Sequence, residues 1–234
     1  MSLSFRQITH RTLKTSRARK DKFLLALESL LSRHKPAILF DFCGATTDQL
    51  GSIVKQGGLK EVVLVVKLEY DIVLLDRRHD FVSEYAPVVI DCSSYRGTPV
   101  LAENDVCDQY RAAFGNMIKS VNETDEDQVI LDLDSECKGL CLTTIFGFFL
   151  QYPYVYYTSD SGNCLAGVEL ILVELGTQSN HVIDDETSDE TSDVTNHVFT
   201  TFSVPKVLCQ TEEQLTSLPY YLRHRTVCLD SVAM

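Results

Sequence analysis

Three apparent strands of this chain run into carboxylates: Asp41 in LFDF, Asp91 in VVID, and Asp132 with Asp134 in VILDLDS. Acids beyond the carboxyl ends of strands in an α/β sheet are natural ligands for a metal ion or a ribose hydroxyl. A second group lies in QYPYVYYTSDSGNCL, where Tyr152, Tyr154, Tyr156 and Tyr157 precede Asp160, Asn163 and Cys164. Phenol rings line pockets, and Asp160 and Asn163 would supply polar contacts at the mouth. Cys164 follows a glycine turn, a place for an exposed nucleophile, and His197 on a neighbouring strand would be the base to activate it. A cysteine that opens a buried strand is otherwise inert packing. Asp41, Asp91, Tyr152, Tyr156, Asp160, Asn163 and Cys164 therefore form the candidate ligand pocket, with no catalytic residue, metal site or cofactor assigned.

Asp132 and Asp134 sit in VILDLDSE, which is similar to the first motif of haloacid-dehalogenase-like phosphohydrolases. That resemblance would make Asp132 the nucleophile and Asp134 the proton donor beside magnesium. In that family, however, the motif opens the sheet. Here about a hundred residues follow it without the expected lysine and second acid pair, Asp184 and Asp185 lying in low-complexity sequence. A solvated strand boundary is the plainer reading. Cys137 and Cys141 stand one helical turn apart, but a structural zinc takes four ligands and no second Cys or His pair accompanies them, so packed thiols are expected. There is no P-loop and no GxGxxG.

The elements that would carry these residues are legible from periodicity. Phe23, Leu24, Leu27, Leu30 and Leu31 recur at helical spacing over 21–33, and Pro36 ends that helix before a buried strand, AILFDF. Thr46 or Thr47 caps a helix to about Lys55, with Gly57 and Gly58 as its stop. The runs 61–67 and 71–75 are separated by a gap that suits a hairpin and is too short for a parallel crossover. A short helix is expected over 77–85, a strand over 87–92, a turn at 96–99, a helix over 105–121 and a strand over 128–133. The uncharged run from Gly139 to Ser159 reads as a buried helix ending at Tyr152-Pro153, because Thr143, Thr144, Gln151 and Pro153 interrupt it as a membrane span. The strand after Asn163 is expected to be central, 197–204 to be another strand, and 211–223 a last helix broken or started at Pro219.

Charge is unevenly spread. The 234 residues carry a net charge of -12, yet up to Lys22 there are seven Lys or Arg and one acid. Residues 1–20 read as a basic mobile arm, with a mitochondrial transit peptide as the alternative. Residues 178–196 hold DETSDETSD and read as an acidic disordered loop, with Thr187 and Ser188 in a setting for an acidophilic kinase. An acidic body is a poor ligand for phosphate backbones, so no nucleic-acid partner is expected. Eight cysteines lie mostly in or beside apolar runs, and no signal core precedes a cleavage site, so reduced thiols and a cytoplasmic or nuclear location are expected.

The succession LFDF, VVLVVKLEYDIVLLD, VVIDC, GFFLQYPYVYY, GNCL and TFSVP resembles the uncharacterised family named after the chromosome 1 open reading frame 74 protein. The resemblance spans roughly residues 37–222 and falls on Asp41, Asp76, Asp91, Tyr152, Pro153, Tyr156, Asn163, Cys164 and Pro205. It implies a fold and no reaction, and it leaves the DLD pair and the acidic loop outside the matched residues. The expectation is one α/β domain over 21–234, with a mixed parallel and antiparallel sheet and helices on both faces. The expected function is a protein-interaction module; the alternative is an enzyme or binder of a small polar metabolite. The first calls for an exposed apolar surface, the second for convergence of the pocket residues.

Overall fold

The computed structural model describes residues 4–41, 44–68, 71–81, 85–124, 128–131, 139–180, 194–209, 212–218 and 221–228. The chain is a mixed α/β protein whose contacts form two compact units, Met1–Ile90 with Ala102–Ser159 and Asp91–Leu101 with Asp160–Met234.

The first unit is built on a four-stranded sheet in the order β1-β3-β2-β6. The expected hairpin is β2 (Val63–Leu68) against β3 (Asp71–Asp76), antiparallel from Val63↔Asp76 to Leu68↔Asp71. The strand β1 (Ala37–Leu39) adds antiparallel to β3, and β6 (Gln128–Leu131) adds parallel to β2. Side chains on a strand alternate in direction, and this sheet uses both directions for burial. Val63, Val65, Ile72 and Leu74 enter one core with Ile38 and Phe40. Helices α1 (Phe5–Thr12), α2 (Arg17–Leu31) and α3 (Thr47–Gln56) complete that core. Leu64, Val66, Leu68, Val73 and Leu75 face the other way, against α4 (Asn104–Asn122) and α5 (Leu142–Phe149).

Local chemistry fixes these helices. Ser4 and Thr46 close capping boxes with Gln7 and Gln49, and Ser16 caps α2. In α4, Tyr110, Ala113, Phe114, Met117, Ile118 and Val121 form one buried stripe at helical spacing. The helix α5 stops at Leu150, where Gln151 turns to a φ of 51° ahead of Pro153. The chain then returns as β7 (Tyr154–Tyr157), a neighbour of β4 (Val88–Asp91). Gly147 on α5 is required by that return, since a Cβ there would run into the Val155 side chain.

In the second unit β8 (Glu169–Asn180) is the middle strand, antiparallel to β9 (Val194–Pro205) on one side and β10 (Tyr221–Cys228) on the other. Ile171 and Val173 are buried opposite Val204 and Phe202 on the same face. Residues 91–101 contribute a 3-10 turn (Ser94–Arg96) and the short β5 (Val100–Leu101), and Glu212–Thr216 forms α6.

Several expectations are corrected. The lead-in 1–20 is not all a mobile arm: residues 5–12 are helical, and Ile8 and Leu13 are buried against the sheet. No helix occupies 77–81, because Asp76 accepts from the backbone and guanidinium of Arg78 and pins a tight turn. The last helix ends at Thr216, and Tyr221–Cys228 is a strand whose ladder with β8 overrides the leucine spacing. Residues 178–180 and 194–196 belong to β8 and β9 rather than to a loop, while 184–193 lies outside the described residues. Among the described residues no helix is long and apolar enough to cross a membrane.

Candidate functional site

Four of the seven candidate residues meet in the second unit. Asp91 ends β4 only 2 % exposed, and its carboxylate is fully engaged. Oδ1 accepts from the Ser93 backbone N–H at 3.0 Å and the Ser93 hydroxyl at 2.7 Å, and Oδ2 accepts from Arg96 Nε at 2.7 Å. A serine two residues after an aspartate makes this turn locally, and the 3-10 turn then swings Arg96 back over the acid. Arg96 also sits 5.1 Å from the Tyr95 ring centroid. The second loop docks through Asp160, which accepts from the Ser94 hydroxyl and backbone and from Gly162 N–H. Gly162 suits this approach, as a Cβ there would lie 2.9 Å from the Ser94 Cβ. Cys164 N–H donates to the Cys92 carbonyl at 2.8 Å, and Asn163 Oδ1 accepts from Leu165 N–H at 3.0 Å.

The electrostatics follow from those bonds. Burial alone would raise the Asp91 pKa, but the Ser93 hydrogen bonds and the Arg96 guanidinium outweigh it and hold the carboxyl below its ordinary value. The Ser94 hydrogen bonds lower Asp160 as well. Burial, followed by the charges of Asp91 and Asp160, pushes the Cys164 thiol up. Both acids are thus ionised at neutral pH and occupied, Asp91 by donors of its own turn and Asp160 by Ser94 and Gly162, and a thiol beside two carboxylates keeps its proton and is a poor nucleophile. Asp160, through Ser94, and the Cys164 N–H, through the Cys92 carbonyl, clasp the 91–96 segment to 160–164, while Asp91 and Asn163 fix the turns on either side.

Asp41, Tyr152 and Tyr156 belong to the first unit. Asp41 is exposed just beyond β1, and its charge adds to burial in raising the Tyr152 pKa. The same charge opposes the burial that lowers Lys35. The Tyr152 carbonyl accepts from Tyr85 at 2.7 Å, and the Tyr156 carbonyl accepts from the Thr144 hydroxyl. Val155 is buried between Tyr154 and Tyr156, and Tyr157 meets Tyr110 edge-on at 5.8 Å, so the strand alternation holds. Asp132, Asp134 and Cys137, and the side chain of His197, lie outside the described residues. Among the described residues no group of three or more His, Cys, Asp or Glu is arranged to hold a metal ion.

Sequence reasoning missed two features. Cys141 caps α5, and although burial would raise its thiol, hydrogen bonds from Thr144, Thr158 and Thr143 bring it below the ordinary value. The signal was a cysteine directly before a helix with threonines in its first turn. The second is a groove of about 510 Å³ on the first unit, floored by Phe5, Leu24, Leu25, Leu27, Leu31 and Leu59 and edged by Arg6, Asp21 and Glu28. Here the signal was an excess of leucine. The core face of α2 uses Phe23, Leu27 and Leu30 with Leu31 at its margin, leaving Leu24 and Leu25 beyond it.

Neither the comparison with curated proteins nor that with solved structures finds a similar protein. The family model described as Domain of unknown function (DUF4504) matches residues 6–218, from the first helix to the end of the described 212–218 segment, and the chain belongs to that family.

Proposed function

We propose that the protein is a protein-interaction module that receives a helical segment of its partner in the α1–α2 groove. One observation carries this reading: Leu25, lining the groove, is 59 % exposed, an apolar side chain left in water beside a cavity of about 510 Å³. A selection of displayed helical peptides on the folded chain tests it. Sequences with an i, i+3, i+4, i+7 apolar stripe should be enriched on the wild type and lost on Leu25→Asp; equal recovery on both proteins would end the proposal.

A second reading keeps a small polar ligand at Asp91, Asp160, Asn163 and Cys164, favoured by their convergence on one pair of loops. A polar metabolite or divalent ion that raises the melting temperature of the wild type but not of Asp160→Asn would support it, and an unresponsive screen would count against it. The Tyr-Pro…Asn-Cys-Leu segment supports placement in the chromosome 1 open reading frame 74 family, and the unbridged sulfurs of the described cysteines support a cytoplasmic or nuclear location.

A further inference from the structure

The helices that form the groove carry the opposite sign of charge to the rest of the chain. Residues 4–33 contain eight Lys or Arg and two acids, Asp21 and Glu28, within a protein whose net charge is -12. Arg6, Arg11, Lys14, Arg17, Arg19 and Lys22 are all exposed. Asp21 on the groove edge is already neutralised, with Arg6 at 2.9 Å and Arg17 at 3.8 Å. That end of the groove therefore presents surplus positive charge. Glu28, two turns or about 10 Å further along α2, is an exposed acid at the other end.

Resting on the interaction reading above, we infer that the groove's occupant is an acidic amphipathic helix: an apolar stripe packed on Leu24, Leu25 and Phe5, and carboxylates towards Arg6 and Arg17. Complementary charge orients such a helix and sets its preference among apolar competitors. A phosphate backbone would gain from the arginines but nothing from burying Leu25. A membrane would need an apolar helix face, and α1 has turned Ile8 into the core, leaving Leu25 as the strongly exposed large apolar residue among the described residues of the pair.

The test uses the full chain and three labelled peptides of about four turns that share one leucine stripe and differ in flanking charge: acidic, neutral and basic. Fluorescence anisotropy at low salt should show the acidic peptide binding about tenfold tighter than the neutral one and the basic one weakest, the order compressing as salt screens the charges. The double variant R6E/R17E, whose exposed positions leave the core untouched, should reverse the order, and Leu25→Asp should abolish binding of all three. Equal binding of the three peptides would overturn the acidic preference while leaving the interaction module standing. Binding of none would remove both. Displacement of the acidic peptide by duplex DNA or anionic vesicles that bind Leu25→Asp as well as wild type would overturn the inference in favour of a simple basic surface.

Discussion

Replacing Asp91 with asparagine isolates what the buried Asp91–Arg96 pair contributes. Asparagine keeps the shape and one acceptor but loses the charge, and it can present an N–H₂ to Arg96 Nε, which now has an acceptor at 2.7 Å. Breaking a fully buried ion pair by removing one partner costs about 3–5 kcal/mol. Asp91 is 2 % exposed but the Arg96 side chain keeps 30 %, so water takes up part of the loss and about 2 kcal/mol is expected. For a chain of this size that lowers the melting temperature by about 4–8 °C. The pH dependence is the sharper readout. A carboxyl whose folded pKa is depressed contributes stability that is fully present above its unfolded value, about 3.9, and is lost as pH falls through the folded value. The melting temperatures of wild type and Asp91→Asn, followed by circular dichroism, should differ by a constant amount from pH 7 to about 5 and converge below about 4. A gap that persists unchanged below that range, or no gap at neutral pH, would refute the reasoning.

Other outcomes follow from the same packing. Gly147→Ala forces a methyl into Val155 and should cost about 1–3 kcal/mol by overpacking, measured by urea unfolding. Gly57→Ala places a Cβ 2.6 Å from Phe5 Cδ2 and 2.9 Å from the Ile53 carbonyl, so it should dislodge Phe5 and weaken peptide binding in the groove more than it lowers stability. Iodoacetamide near pH 8 should modify Cys141 before Cys164, because the first thiol is lowered by donors at a helix start and the second raised by burial between carboxylates; peptide mass spectrometry giving the reverse order would contradict both assignments.

The β2–β3 hairpin, α3 with its Thr46 cap and the buried stripe of α4 were legible because each is decided within a dozen residues by periodicity, capping and gap length. The first helix was not. Its apolar residues make a ragged face in isolation, and Ile8 is buried only because α1 lies across α3, where Gly57 leaves room for Phe5. The terminal strand was read as helix because Leu215, Leu218 and Leu222 fall at helical intervals, whereas pairing with β8 decides the outcome. At the clasp, Asp91, Asp160, Asn163 and Cys164 stood out as polar residues at strand ends and turns, but Ser93, Ser94 and Arg96 did not. The role of Ser94 depends on a second loop arriving from more than sixty residues away, and those of Ser93 and Arg96 on the turn folding back over Asp91.

The division of the chain also sets an order of manufacture. The polypeptide leaves the first unit at Asp91 and re-enters it at Ala102, and β2 receives its parallel neighbour β6 only when residues about sixty positions downstream have emerged. A ribosome would therefore first release α1, α2, α3 and the hairpin, a set whose mutual contacts all close within the first 76 residues and whose exposed second face waits for α4 and α5. During that interval Leu64, Val66 and Leu68 are uncovered, and nascent chains stalled before residue 104 should be the form that chaperones hold.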